Sequence, residues 1–195
     1  MAAYQFLLDQ NFPSQTFGVE ELDQTIKFVH LQQFAPELAK AKTPDWLIYL
    51  AAQAGTMDGV VTRDLEQIKD VDSLVALSLT NLCVITWATP IEDSVTEWAQ
   101  LIAYMPEIKK RLAEDRKRIL LLPAPRLRND QTLKASDVLG QMASEGKTTT
   151  GELRSESLKR MRQTVKQRKR ADLLALLDDK RARCCLLYTS PSPRD

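Results

Sequence analysis

The sequence predicts an α/β protein, a three-layer α/β/α sandwich around a mostly parallel central sheet, with a basic helical C-terminal arm. Short apolar runs of strand length alternate with amphipathic stretches of helical period between residues 4 and 125, the pattern of a parallel sheet covered on both faces. Of the 195 residues, 44% are hydrophobic, enough to build a core and too many for a disordered chain. Charge is divided: residues 1–146 carry 14 basic against 20 acidic side chains, and residues 147–184 carry 12 against 5. An acidic body and a basic arm are hidden in a formal net charge of +1.

The elements follow in order. Tyr4-Gln5-Phe6-Leu7-Leu8 is a strand ending at Asp9, and Asn11-Phe12-Pro13-Ser14 breaks it. Residues 19–34 read as an amphipathic helix through Leu22, Ile26, Val29 and Phe34. Thr43-Pro44-Asp45 starts the next helix, with Thr43 as N-cap and Pro44 in the first turn, and Gly55 closes it. Gly59-Val60-Val61-Thr62 is a buried strand ending at Arg63-Asp64. Leu74 to Leu79 gives a short helix and Leu82 to Trp87 a further strand. Val95, Trp98, Leu101, Ile102 and Met105 mark a helix stopped by Pro106. Ile119-Leu120-Leu121-Leu122 is the last strand of the body, which spans residues 1–128.

Glycines at 140, 146 and 151 and a Ser/Thr-rich composition make residues 129–151 a linker. The arm covers residues 152–184. Leu158, Met161, Val165, Leu173, Leu174 and Leu177 form its apolar stripe, and Lys166-Gln-Arg-Lys-Arg170 its densest charge. The stripe suits packing on the body or on a partner; the charges suit a salt-sensitive hold on nucleic-acid phosphates. Residues 185–195, Cys-Leu-Leu-Tyr-Thr-Ser-Pro-Ser-Pro-Arg-Asp, resemble in every position a translated transposase adapter of the kind read through in sequencing libraries, and fold reasoning excludes them.

Scarce residues narrow the chemistry. His30 is the single histidine, and Cys83, Cys184 and Cys185 lack metal-ligand spacing, so neither paired-histidine catalysis nor a zinc or disulfide framework is supported. No apolar run approaches the roughly 20 residues of a membrane span, and the N-terminal Met-Ala-Ala-Tyr-Gln has no basic leader. A cytoplasmic protein is expected. Trp46, Trp87 and Trp98 lie in apolar patterns and are expected in the core or at a homodimer interface, ahead of any base-stacking role.

What remains are carboxylates. Asp9 follows the first strand and Asp64 the Gly59–Thr62 strand, while Asp45 stands in the first turn of the helix between them. In open α/β sheets, ligands bind beyond the carboxyl ends of the strands. If the two strands are neighbours, the three carboxylates share one edge, and a divalent cation offsets their repulsion.

Phe6-Leu7-Leu8-Asp9, Pro44-Asp45-Trp46-Leu47-Ile48-Tyr49-Leu50-Ala51 and Val60-Val61-Thr62-Arg63-Asp64-Leu65-Glu66 resemble the motifs of the PIN-domain nucleases. The nearest likeness is to short PIN-like toxins of bacterial toxin–antitoxin systems. The resemblance spans residues 4–90 and implies a Mg²⁺- or Mn²⁺-dependent endoribonuclease with Asp9, Asp45 and Asp64 as catalytic metal ligands. Glu66 then stands where many relatives have a second Asp, its longer arm reaching the metal through water. Thr62 orients Asp64 or the attacking water. The family often carries a Glu on a helix between the first two Asp residues, and Glu20, Glu21 and Glu37 fall in that interval. RNA is the implied substrate, a cognate antitoxin the implied protein partner, and Lys166, Arg168, Lys169 and Arg170 the expected phosphate contacts. The alternative is a catalytically silent PIN-like module that binds RNA or protein.

Overall fold

The computed structural model describes residues 4–12, 23–40, 43–89, 91, 93–115, 118–123, 131–168, 170, 173, 174 and 177. A six-stranded sheet runs through the centre: β1 (Tyr4–Leu8), β2 (Ile26–His30), β3 (Gly59–Val61), β4 (Cys83–Trp87), β5 (Ile119–Leu122) and β6 (Gln131–Leu133). Its spatial order is β2-β1-β3-β4-β5-β6. The first five strands are parallel, and β6 pairs antiparallel with β5 at one edge. The chain therefore steps outward from β1 to β2 and returns past β1 to β3. This reversal between β1 and β3 is the switch point at which doubly wound sheets open a crevice.

Alternation along the strands sends side chains to two cores. Leu7, Val60, Val84, Ile119 and Leu121 face the larger one, with α2 (Asp45–Ala54), α3 (Val71–Leu79), α5 (Ala135–Glu145) and α6 (Thr150–Gln167). Phe6, Leu8, Phe28, Val61, Ile85, Trp87 and Leu120 face the smaller one, against α4 (Ser94–Glu114). These are the three layers expected. All three tryptophans are buried: Trp46 in the larger core, Trp87 and Trp98 in the smaller. No described helix is long and apolar enough to cross a membrane.

Four local expectations are corrected. Where a helix was expected through residue 34, Ile26–His30 is β2, followed by a single turn, α1 (Leu31–Phe34). The spacing of Ile26 and Val29 fits a helix, but Ile26 and Phe28 are buried and Lys27 exposed, the period of two that β-branched and aromatic residues favour. Helix α2 begins at Asp45 with Pro44, not Thr43, at the N-cap. Pro106 does not stop α4, which runs on to Glu114 because Ile108 and Leu112 extend the stripe of Trp98, Leu101 and Met105. Burial beyond the proline outweighs the lost helical hydrogen bond.

The interval 129–151 is no linker: it carries β6 and α5, and α5 buries Leu139 and Ala143. Gly140 lies inside that helix with nothing within 4 Å of a Cβ placed there, a tolerable weakness rather than a break. The arm is helical as expected, opened by a capping box of Thr149 and Glu152. It does not stand apart, however. Leu158, Met161, Val165, Leu173 and Leu177 are buried in the larger core, and Arg160 pairs with Asp72 on α3. Residues 185–195, with the adapter-like run, lie outside the described residues.

Candidate functional site

Ladder hydrogen bonds extend one residue past the strands at the switch point. Asp9 N–H donates to the Val61 carbonyl and Thr62 N–H to that of Ile85, both at 3.0 Å. Asp9 and Thr62 therefore sit side by side at the carboxyl edge, on the face of Leu7 and Val60. Asp9 is only 2% exposed. Its Oδ2 accepts from Thr62 Oγ1 at 2.9 Å and Gln67 Nε2 at 3.0 Å, and its Oδ1 from the Gln10 amide at 2.7 Å. Behind it, Phe12 closes the turn: its amide donates to the Asp9 carbonyl at 2.9 Å, and its ring packs between Trp87 and Trp98.

Thr62 links the Asp9 carboxylate to the backbone of Asp64. Its hydroxyl donates to Asp9 and accepts from the Asp64 amide at 3.1 Å. Asp64 then caps a single 3-10 turn, Leu65–Ile68, its Oδ1 accepting from the Glu66 amide at 2.9 Å. That turn carries Gln67 back over Asp9.

Asp45 arrives from α2. It is half-buried, and its side chain accepts no hydrogen bond among the described residues. Burial, then the charges of Asp9, Asp64 and Asp70, push its carboxyl up to about 6. One turn further along α2, burial and these four carboxylates hold the Tyr49 phenol well above its ordinary range. Asp70, the N-cap of α3, accepts from the Ser73 amide at 2.8 Å. The structure thus brings Asp9, Asp45 and Asp64 into one electrostatic field and adds Asp70 to it.

Other candidates fall elsewhere. The Glu66 side chain is 74% exposed and pairs with Lys69; its backbone serves Asp64 while its carboxylate faces solvent. Glu37 lies in the turn after α1 and pairs with Arg170 at 2.9 Å. Glu20, Glu21 and Lys169 lie outside the described residues. Lys166 and Arg168 are exposed at the end of α6 and make no ion pair among the described residues.

Sequence reasoning missed Gln67, Tyr49 and Asp70. Tyr49 follows Asp45 by one helical turn, and Asp70-x-x-Ser73 is a capping pattern, so both left a trace. Gln67 left none, being a neutral amide in a one-turn helix.

The donor set suits a hard divalent cation: carboxylate oxygens, a hydroxyl, and no thiolate or imidazole. The like-charge cost expressed at Asp45 is one that such a cation removes. Beside Thr62 on the neighbouring strand, Thr86 is wholly buried with its hydroxyl unpartnered among the described residues, a further oxygen on the same row. Among the described residues, no three acidic, imidazole or thiol groups converge into a ready-made cage. Magnesium sites commonly use one or two carboxylates and complete the shell with water. Comparison with protein-family models, with curated proteins and with solved structures returns no match to this chain.

Proposed function

We propose that this chain is a Mg²⁺- or Mn²⁺-dependent endoribonuclease of the PIN-like kind, acting in the cytoplasm as the toxin of a toxin–antitoxin pair. The observation that carries this reading is the field of Asp9, Asp45, Asp64 and Asp70 at the β1/β3 switch point, in which each charge opposes ionisation of Asp45. A protein that gathers carboxylates at this cost uses them to hold positive charge. Asp9, Asp45 and Asp64 would hold the cation, which supplies Lewis-acid charge for a phosphodiester and a lowered pKa for water. Thr62 ties Asp9 to the Asp64 backbone, so the two groups keep one relative geometry. Asp45 accepts no hydrogen bond among the described residues and can turn toward cation or water. The exposed Lys166 and Arg168 meet flanking phosphates of a single-stranded RNA. The antitoxin and the toxin role rest on the likeness of the three motifs alone.

A second reading has one observation in its favour: the lack of a three-carboxylate cage among the described residues suits a silent PIN-like module that binds RNA or protein without cutting it. Cleavage of labelled single-stranded RNA in Mn²⁺ or Mg²⁺ separates the two. The nuclease reading expects turnover that EDTA abolishes and that Asp9→Asn, Asp45→Asn or Asp64→Asn each lower by orders of magnitude, the fold remaining intact by circular dichroism. RNA binding without metal-dependent cleavage would establish the silent module instead.

A further inference from the structure

Gln67 is 3% exposed and Tyr49 is 0% exposed, and neither is among the proposed cation ligands. Their hydrogen bonds run in one direction only. An ionised Asp9 can only accept, so the Gln67 amide must present its Nε2 to Asp9 Oδ2, at 3.0 Å. Its Oε1 then faces the Tyr49 hydroxyl, which donates to it at 2.8 Å. Asp9 thereby decides which way the Gln67 amide points, an orientation that a carboxamide cannot select by shape, and the Tyr49 hydroxyl anchors the amide from its other end.

The consequence falls on Asp9. Its Oδ2 takes two buried side-chain donors, Thr62 and Gln67, while Oδ1 takes one backbone donor. A carboxylate oxygen with two donors has both lone pairs occupied, whereas Oδ1 keeps one for a cation or water. Thr62 comes from β3, Gln67 from the 3-10 turn and Tyr49 from α2, so three elements fix the same carboxylate.

We infer that Gln67 and Tyr49 are positioning residues for Asp9: the chain from Tyr49 through Gln67 locks the carboxylate with Oδ2 engaged and Oδ1 left to bind. As a statement about metal affinity this rests on the proposed nuclease site; as a statement about side-chain geometry it does not. Groups that orient a metal ligand typically change affinity by about 10–100-fold when removed.

The test uses the full chain and Mn²⁺ as the probe, followed by isothermal titration, with side-chain amide exchange of Gln67 measured by NMR without metal. Gln67→Leu keeps the bulk and removes both bonds; it is expected to weaken Mn²⁺ binding about 10–100-fold. Tyr49→Phe leaves the Gln67 bond to Asp9 in place but removes the anchor at its Oε1, loosening the amide, and should weaken binding by a smaller factor. The double variant should bind no worse than Gln67→Leu alone, because both act through one chain. In the metal-free arm the Gln67 amide protons should exchange slowly in the wild type and quickly in Tyr49→Phe. Wild-type Mn²⁺ affinity retained in Gln67→Leu would overturn the inference while leaving the nuclease site standing. A wild type that takes up no Mn²⁺ would overturn the nuclease site; the exchange arm then decides alone, slow exchange lost in Tyr49→Phe upholding the positioning and equally fast exchange in both ending it. Should Gln67→Leu fail to fold, Tyr49→Phe carries both readouts.

Discussion

Asp45 and Asp9 are the same chemical group in opposite settings, and the contrast is measurable. Asp9 is buried among three donors; Asp45 has none among the described residues and is pushed up to about 6 by burial and by Asp9, Asp64 and Asp70. With its folded value raised above an ordinary carboxylate near 4, the folded chain keeps a proton that the unfolded chain has lost between about pH 4 and 6. Stability therefore falls as pH rises through that window and stays reduced above it. For a half-buried, partly screened carboxylate the loss is about 1 kcal/mol, or about 2–4 °C in a domain of this size. In melts with EDTA, Asp45→Asn should approach the wild type below about pH 4 and exceed it by that margin at pH 7.5. Equal melting temperatures at pH 7.5 would mean that no like-charge field acts on Asp45. Asp9, Asp45 and Asp64 were legible in the sequence because strand ends and helix starts are marked by their neighbours. Gln67 was not: its bond to Asp9 spans 58 residues of chain, and such closure depends on the sheet order, which no local pattern encodes.

Elements were legible where burial period and breaker residues agreed, as in β1, β3, β4 and β5, and misread where they conflicted. Ile26–His30 satisfies both periods over so short a run, and pairing with β1 in register from Tyr4↔Ile26 to Leu8↔His30 decides it. Pro106 and Gly140 are breakers that apolar stripes override. Gly59 is the converse, a glycine whose lack of a side chain is required. It opens β3 between β1 and β4, and a Cβ there would stand 2.5 Å from the Cys83 carbonyl oxygen and 3.1 Å from the Phe6 ring. The oxygen belongs to the neighbouring strand's backbone, so β3 and β4 must separate to admit a methyl group. Gly59→Ala should therefore destabilise by about 1–3 kcal/mol, the usual cost of overpacking, seen as a lower denaturation midpoint at unchanged slope. An unchanged midpoint would mean that the two strands part without cost.

On the scale of the whole molecule, the division of charge is real but the division into body and tether is not. Helix α6 buries its apolar stripe in the larger core, with Met161 and Val165 fully enclosed, while Arg160 and Arg170 are tied to Asp72 and Glu37. Composition could show the charge and the stripe, but not that the stripe docks on α3, because docking depends on which face of the sheet remains uncovered. Asp72, at the start of α3, the helix that follows β3, is therefore on the carboxyl side of the sheet with Asp9, Asp45, Asp64 and Asp70, and Arg160 ties α6 to it. On the proposed nuclease reading, Lys166 and Arg168 supply the attraction that an acidic body needs to draw in phosphates. Two sets of variants separate packing from charge on this helix. Met161→Ala should cost about 2–5 kcal/mol, as large-to-small changes in a core do, while leaving the salt dependence of RNA binding alone. Replacing Lys166 and Arg168 together with Gln should leave the melting temperature in place. It should weaken single-stranded RNA binding at low salt and reduce the log–log salt slope by about 0.7 for each phosphate no longer neutralised. An unaltered slope in that double variant would detach α6 from RNA, and its basic end would then serve only the ion pairs that seat the helix on the sheet.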